Sequence, residues 1–408
     1  MTDGVVVVGG GHAGAAAVAA LRQEGFAGPI RLVTAEADLP YQRPPLSKAF
    51  LKDQGTEPQL IRPEAFYAAQ GVDVELGATV TGIDRIDRTV TLADGRRLRY
   101  DGLTLATGAR VRKPDVEGAG LAGIHYLRTT ADARALRVAL GQATSVVVIG
   151  GGFIGLEVAA TAAALGKRVT VLEAGDRLMG RAVAPEISRH MLERHREAGI
   201  DVRLATSLGR FLGFRGQLVG VEPAGSTAPI EAELALVGIG VIANSELAQA
   251  AGLATDGGIL VDSHMRTSDP TIVACGDGVV FDHWHAARRV RIESVQNATD
   301  QARHAAMALL GKPDPYRQVP WFWSDQGPTK LQMVGLSHGA DRIVLRGRAD
   351  DGRFSVFHFH RERLIAIDSV DRPADHMVGR RLLAAGTVLR PDQAADESVD
   401  LKALLSAG

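Results

Sequence analysis

"VVVVGGGHAG", residues 5–14, decides the fold of this chain, and "VVVIGGGFIG", residues 146–155, repeats it almost letter for letter. In the first copy the valine run 5–8 suits a strand buried on both faces, and the alanine-rich stretch from Ala13 to Leu21 predicts a helix. The turn between them reads Gly9-x-Gly11-x-x-Gly14. Gly9 permits the tight turn, Gly11 lets a pyrophosphate approach the backbone, and Gly14 lets strand and helix pack closely. The helix N-terminus then offers unpaired N–H groups and the positive end of its dipole to the phosphates. "IRLVTAE", 30–36, supplies a second strand and ends at Glu36, about 20 residues past the turn, where a carboxylate takes ribose hydroxyls.

The second copy has the same grammar. "SVVVIG" is the strand, Gly150-x-Gly152-x-x-Gly155 the turn, "LEVAATAAALG" the helix, and "RVTVLE" ends at Glu173. One such turn alone is as often an ordinary tight turn as a nucleotide site. Two copies, each with strand, helix and distal acid in register, point to two dinucleotides and an α/β fold with two Rossmann-like domains. Glu173 favours NADH over NADPH, because a carboxylate bonds a 2′-hydroxyl and repels a 2′-phosphate. Arg177 and Arg181 stand close behind it in sequence and oppose that preference.

Composition narrows the classes. A length of 408 residues implies roughly two to four domains. With 46 lysines and arginines against 47 aspartates and glutamates, no global field draws the protein to nucleic acid or anionic lipid, and neither is expected as a partner. No charged leader with an apolar core opens the sequence, so a cytoplasmic location without membrane attachment is expected. A single cysteine, Cys275, excludes an intramolecular disulfide, a CxxC redox pair and a multi-thiolate metal site. The twelve histidines show no HExxH or paired ligand spacing, and no metal is expected.

Further segments carry a resemblance. "LTLATGAR", 103–110, closes a buried-strand pattern with Ala106-Thr107-Gly108, and "TSDPTIVACGDG", 267–278, closes a short apolar strand with Gly276-Asp277. With the two turns, these resemble the two-dinucleotide, glutathione-reductase-like flavoprotein reductases, whose first site holds FAD and whose second holds NAD(P)H. "YQRPPLSKAFL", 41–51, "YLRT", 126–129, "RIESVQNA", 291–298, and "VPWFWSDQ", 319–326, narrow the resemblance to the ferredoxin reductases that feed Rieske-type oxygenases and haem-thiolate monooxygenases, the putidaredoxin-reductase type. The similarity runs along essentially the whole chain.

The resemblance implies FAD and NADH as cofactors and a two-iron ferredoxin as partner. It places Lys48 beside the flavin, where a buried lysine needs an anionic partner; Glu157, just past the second turn, is the expected one. These two are the expected catalytic residues. A solvated lysine at a helix start is the plain alternative for Lys48. Asp277 is implied to bond the ribityl chain, Arg43 and Arg128 the pyrophosphate through their guanidinium forks, and Trp323 to lie against the isoalloxazine. Val295, where some relatives carry tryptophan, covers part of the flavin site through its backbone. The family often has aspartate at the position of Ala35, so Glu36 is expected to take over its ribose contact. Ala13 and Val80 complete the FAD set, and Phe153, Ile154 and Gly238-Ile239-Gly240 the NADH set.

The expected domains are an FAD-binding segment at 1–109, an NAD-binding domain at 110–235, a second FAD-binding segment at 236–316 and a C-terminal α+β domain at 317–408. Strand-like runs at 330–335, 342–347, 354–360 and 363–368, then a helix after Pro373, support the last. Arg288, Arg289 and Arg291 form the expected docking cluster for an acidic ferredoxin, with Arg380 and Arg381 as a second. A monomer or weak homodimer is expected. A disulfide reductase needs a thiol pair, and a thiol peroxidase a cysteine near Lys48; neither is present. The remaining rivals are a rubredoxin reductase, an NADH oxidase, and a non-enzymatic NADH-binding flavoprotein.

Overall fold

The computed structural model describes residues 3–405 and divides into two compact units. The first comprises the stretch up to Gln42, Pro58–Arg110 and Val241–Pro320; the second comprises Arg43–Glu57, Val111–Gly240 and the chain from Trp321 onward.

In the first unit the valine run is the strand Val5–Val8, buried at all four positions. It is the centre of a five-stranded parallel sheet ordered Ile272–Ala274, Gly102–Leu105, Val5–Val8, Ile30–Val33, Val72–Glu75. A valine buried on both faces stabilises by about 1.5–3 kcal/mol relative to exposure, so the β-branched run takes the central place. The alanine-rich helix spans His12–Gln23 and packs against the helix Val295–Leu309, whose buried residues include five alanines.

The second unit repeats the design. Ser145–Ile149 is the centre of a parallel sheet ordered Asp201–Arg203, Arg168–Leu172, Ser145–Ile149, Leu234–Val237, Ile124–His125. The helix Phe153–Ala164 follows its turn. The same unit holds a five-stranded antiparallel sheet ordered Trp321–Gln326, Thr329–Gly335, Arg363–Val370, Arg353–His360, Arg342–Arg348, against which the helix Pro373–Ala385 packs. Four of these strands fall on the strand-like runs of the sequence, and the helix begins at Pro373 with its proline in the first turn. Among the described residues no helix is long and apolar enough to cross a membrane.

Candidate functional site

Each glycine turn is shaped by backbone crowding. Gly9 has φ +115°, and a Cβ there would stand 2.2 Å from the Ala106 carbonyl oxygen; Gly150 has φ +107°, with the Gly238 carbonyl oxygen 2.5 Å from the same point. Neither position accepts a side chain. Gly152 differs: its backbone is extended, and among the described residues, its chain neighbours and own helix backbone aside, a Cβ there would meet no atom within 4 Å. The space beside it is open. Both helices begin without a side-chain cap and without an acidic residue in the first turn. Neither helix start is therefore taken by a side-chain cap, and at the second the open space beside Gly152 leaves room for an anion, which fits a dinucleotide pyrophosphate.

In the first unit several of the expected FAD residues lie next to the start of the helix His12–Gln23, Ala106 beside Gly9 and Gly276 beside Ala13. Ala106, Thr107 and Gly108 follow the strand Gly102–Leu105, and Thr107 exchanges two hydrogen bonds with Asn244, Oγ1 donating at 2.7 Å and the carbonyl accepting at 2.9 Å. Gly276 approaches Ala13 closely, since a Cβ on it would lie 2.9 Å from the Ala13 Cβ. Its N–H donates to Gln301 Oε1 at 2.9 Å, and Arg291 holds the Asp277 carbonyl at 3.1 Å. Glu36 lies beyond the strand Ile30–Val33 and accepts from the Tyr41 hydroxyl, while Ala35 is exposed. Gly77 and Ala78 donate to the Glu36 and Thr34 carbonyls at 3.0 and 2.9 Å, which leads the chain past them to Val80. Val295 is half-buried at the start of its helix. Cys275 is fully buried, and burial pushes its thiol up to about 12. A thiol so placed is inert as a nucleophile at neutral pH.

The second unit brings together Lys48 and Glu157. Lys48 Nζ lies 2.8 Å from Glu157 Oε2, with the lysine 21% and the glutamate 6% exposed. Two serines complete the carboxylate's shell: Ser47 Oγ donates to Oε2 at 2.5 Å and Ser324 Oγ to Oε1 at 2.6 Å. Neither serine was singled out by the sequence reading, since uncharged residues far apart in the chain carry no pattern. Thr161 Oγ1 holds the Ser47 carbonyl at 3.0 Å. Arg137, also unanticipated, donates to the carbonyls of Asp53 and Thr56 at 3.1 and 2.8 Å and lies 4.2 Å over the Phe50 ring. These contacts seat the segment that carries Lys48. Arg43 donates to the Arg128 carbonyl at 2.5 Å, so the two expected phosphate partners are neighbours. Thr129 of "YLRT" is the N-cap of the helix Thr130–Gln142, in a capping box with Asp132.

Around the second turn, Glu173 accepts from the N–H groups of Gly151 at 2.6 Å and Gly175 at 2.7 Å. The carboxylate thus braces the turn as well as lining it. Arg177 is turned inward, donating to the Val183 carbonyl at 2.7 Å, to Ser188 Oγ at 3.1 Å and to the Gly180 carbonyl. The structure therefore corrects the expectation that Arg177 offsets Glu173. Arg181 is exposed, with a guanidinium nitrogen 3.8 Å from the Cβ point of Gly240. Gly238 donates to the Ile149 carbonyl at 2.8 Å, Ile239 beside it is half-buried, and Ile154 is 43% exposed in the first turn of its helix. Phe153 packs on Phe322, ring centres 4.8 Å apart, and Trp323 packs on Trp321 at 5.6 Å.

The arginine clusters differ. Arg289 pairs with Asp256 and Asp282 at 3.4 and 3.6 Å, and Arg291 with Glu293 at 2.6 Å, so most of that cluster's charge is offset locally. Arg380 and Arg381 are exposed, and Arg380 lies 4.4 Å over the Trp321 ring. Among the described residues no group of three or more His, Cys, Asp or Glu side chains could hold a metal ion.

Comparison with known proteins adds an independent line. Residues 3–302 match the family model described as pyridine nucleotide-disulphide oxidoreductase, and residues 321–405 match the one described as reductase C-terminal. The rhodocoxin reductase of Rhodococcus erythropolis is 46% identical over 98% of this chain and 93% of its own length. Among solved structures, a ferredoxin reductase of Rhodopseudomonas palustris superposes with a TM-score of 0.96 at 45% identity, covering 98% of this chain and 99% of its own. The putidaredoxin reductase of a covalent complex with putidaredoxin superposes with a TM-score of 0.95 at 42% identity, covering 99% and 98%.

Proposed function

This chain belongs to the pyridine nucleotide-disulphide oxidoreductase family and carries its reductase C-terminal domain, and from that premise we propose that it is an NADH-dependent, FAD-containing ferredoxin reductase serving an oxygenase. The observation that carries the reading is the pairing of two uncapped glycine turns with an ion pair between half-buried Lys48 and buried Glu157, and a single inert cysteine. A disulfide-reducing member of the family would need thiols. FAD held at the first turn would supply the chemistry of taking a hydride and giving single electrons.

The chain's own residues bind, orient and charge. The turn at Gly9 to Gly14 holds the FAD pyrophosphate at the helix N-terminus, with Glu36 toward the adenosine and Asp277 toward the ribityl chain. The turn at Gly150 to Gly155 does the same for NADH, and Glu173 selects against a 2′-phosphate. Lys48, oriented by Glu157, supplies a fixed positive charge to the reduction step. Arg43 and Arg128 serve the FAD phosphates, and Trp323 serves the flavin ring. Arg380 and Arg381, whose charge is not offset as that of Arg289 and Arg291 is, are the preferred contacts for an acidic two-iron ferredoxin in the cytoplasm.

The purified protein is expected to be yellow with releasable FAD, and to prefer NADH over NADPH in kcat/KM. Glu173→Gln keeps an acceptor for the turn but removes the charge, and should narrow that preference by about tenfold, the equivalent of roughly 1.4 kcal/mol. Steady-state kinetics with both nucleotides decides it. Equal use of the two by the native protein would remove Glu173 from the selection.

A further inference from the structure

Side chains alternate along a strand, so Trp321–Gln326 presents Phe322, Ser324 and Gln326 on one face. Phe322 meets Phe153, Ser324 meets Glu157, and Gln326 meets His195 of the helix Pro185–Glu197. Phe153 and Glu157 are one helical turn apart and so share a face. The polar members are linked to one another: Gln326 Nε2 donates to Ser324 Oγ at 3.2 Å, and Gln326 Oε1 lies 2.8 Å from His195 Nε2.

The direction of these bonds is fixed. An amide oxygen only accepts, so His195 carries its proton on Nε2 and donates it to Gln326. Burial pushes the His195 imidazole below its ordinary value, which keeps it neutral with that single proton, although the bond to Gln326 opposes the shift. Ser324, having accepted from Gln326, directs its own proton to Glu157 Oε1 at 2.6 Å. The chain runs one way, from His195 to the carboxylate. It is also dry: Ser324 is 0%, Gln326 3%, His195 3% and Glu157 6% exposed.

We propose that Ser324 and Gln326 are positioning residues for the Lys48–Glu157 pair, so that the C-terminal sheet sets the orientation of the charge used in flavin reduction. The terminal torsion of a glutamate is broad and two-fold, and burial does not by itself select its angle. Ser47 and Lys48 both bind Oε2 while Ser324 binds Oε1, so the carboxylate's rotation is held at both of its oxygens and the Ser324 bond is the hold on the Oε1 side. Gln326, held by His195, aims Ser324. Without that bond Oε1 is left in a dry site short of a donor, the carboxylate turns to find one, and the Lys48 ammonium moves with it. The proposal rests on the role given to Lys48 above.

The test uses the FAD-loaded protein and stopped-flow reduction by NADH. Ser324→Ala should lower the limiting rate by about five- to twentyfold while the NADH dissociation constant stays within about twofold. Ser324→Thr restores the hydroxyl and should recover most of the rate. Gln326→Ala should have a smaller effect that disappears in the Ser324→Ala background, because the two act as one chain. A crystal structure of Ser324→Ala should show the Glu157 carboxylate rotated and its contact with Lys48 lengthened. An unchanged rate in Ser324→Ala, or equal loss in the alanine and threonine variants, overturns the proposal. Lys48→Ala separates the two levels. If it slows reduction and Ser324→Ala does not, positioning by Ser324 fails alone; if neither slows it, the role of Lys48 fails and the proposal with it.

Discussion

Gly152→Val should give a folded, yellow protein whose NADH dissociation constant is raised between about ten- and a hundredfold. The backbone at Gly152 has φ −85° and ψ 177°, an extended conformation that valine adopts readily. Among the described residues, chain neighbours and the helix's own backbone aside, no atom lies within 4 Å of the added Cβ, so the fold has no need of glycine there. The contrast with Gly150 is sharp, since its φ of +107° and the carbonyl 2.5 Å from its Cβ point make any side chain a backbone clash. Room that the chain leaves empty at an uncapped helix start is room for a ligand's phosphates. Titration of the oxidised protein with NAD, alongside thermal unfolding, separates the two effects. Affinity unchanged from the native protein would mean that the nucleotide does not use that space.

Lys48→Ala should slow flavin reduction by NADH about a hundred- to a thousandfold, the scale on which a preorganised charge or donor at a reaction centre acts. The substitution also leaves the buried Glu157 with two serine donors and no counter-charge. Flavin content and the visible spectrum should change little, because Thr161 and Arg137 hold the segment carrying Lys48 through its backbone carbonyls. Stopped-flow absorbance at saturating NADH measures the rate directly. Reduction at the native rate would take Lys48 out of the reaction.

Much of the architecture was legible because it rests on local pattern. The valine runs, the glycine spacing and the alanine-rich helices each specify a strand, a turn or a helix within a dozen residues, and both parallel sheets follow from them. The four later strands of the C-terminal sheet were legible as strand-like runs. Its first strand, Trp321–Gln326, was noticed only through resemblance, since three bulky or aromatic residues in a row hide the period of two. The Lys48–Glu157 pair was anticipated from the family resemblance together with the requirement that a buried lysine find an acid. Ser47, Ser324, Gln326 and His195 were not, because a hydrogen-bonded chain assembled from four separate segments leaves no spacing to read. Arg137 was missed for the same reason. The inward turn of Arg177 was equally invisible: only the fold of the loop through Val183 decides whether that guanidinium meets carbonyls or solvent.

The central claim is that electrons pass from NADH through this protein to a two-iron ferredoxin. The most direct measurement is NADH-driven reduction of a panel of purified two-iron ferredoxins, with a rubredoxin alongside, followed at low and high salt. At least one ferredoxin should be reduced faster than the rubredoxin, and its reduction should slow as salt screens the basic docking surface, while NADH reduction of a small dye hardly changes. Rubredoxin outpacing every ferredoxin, or electrons passing only to oxygen, would contradict the account.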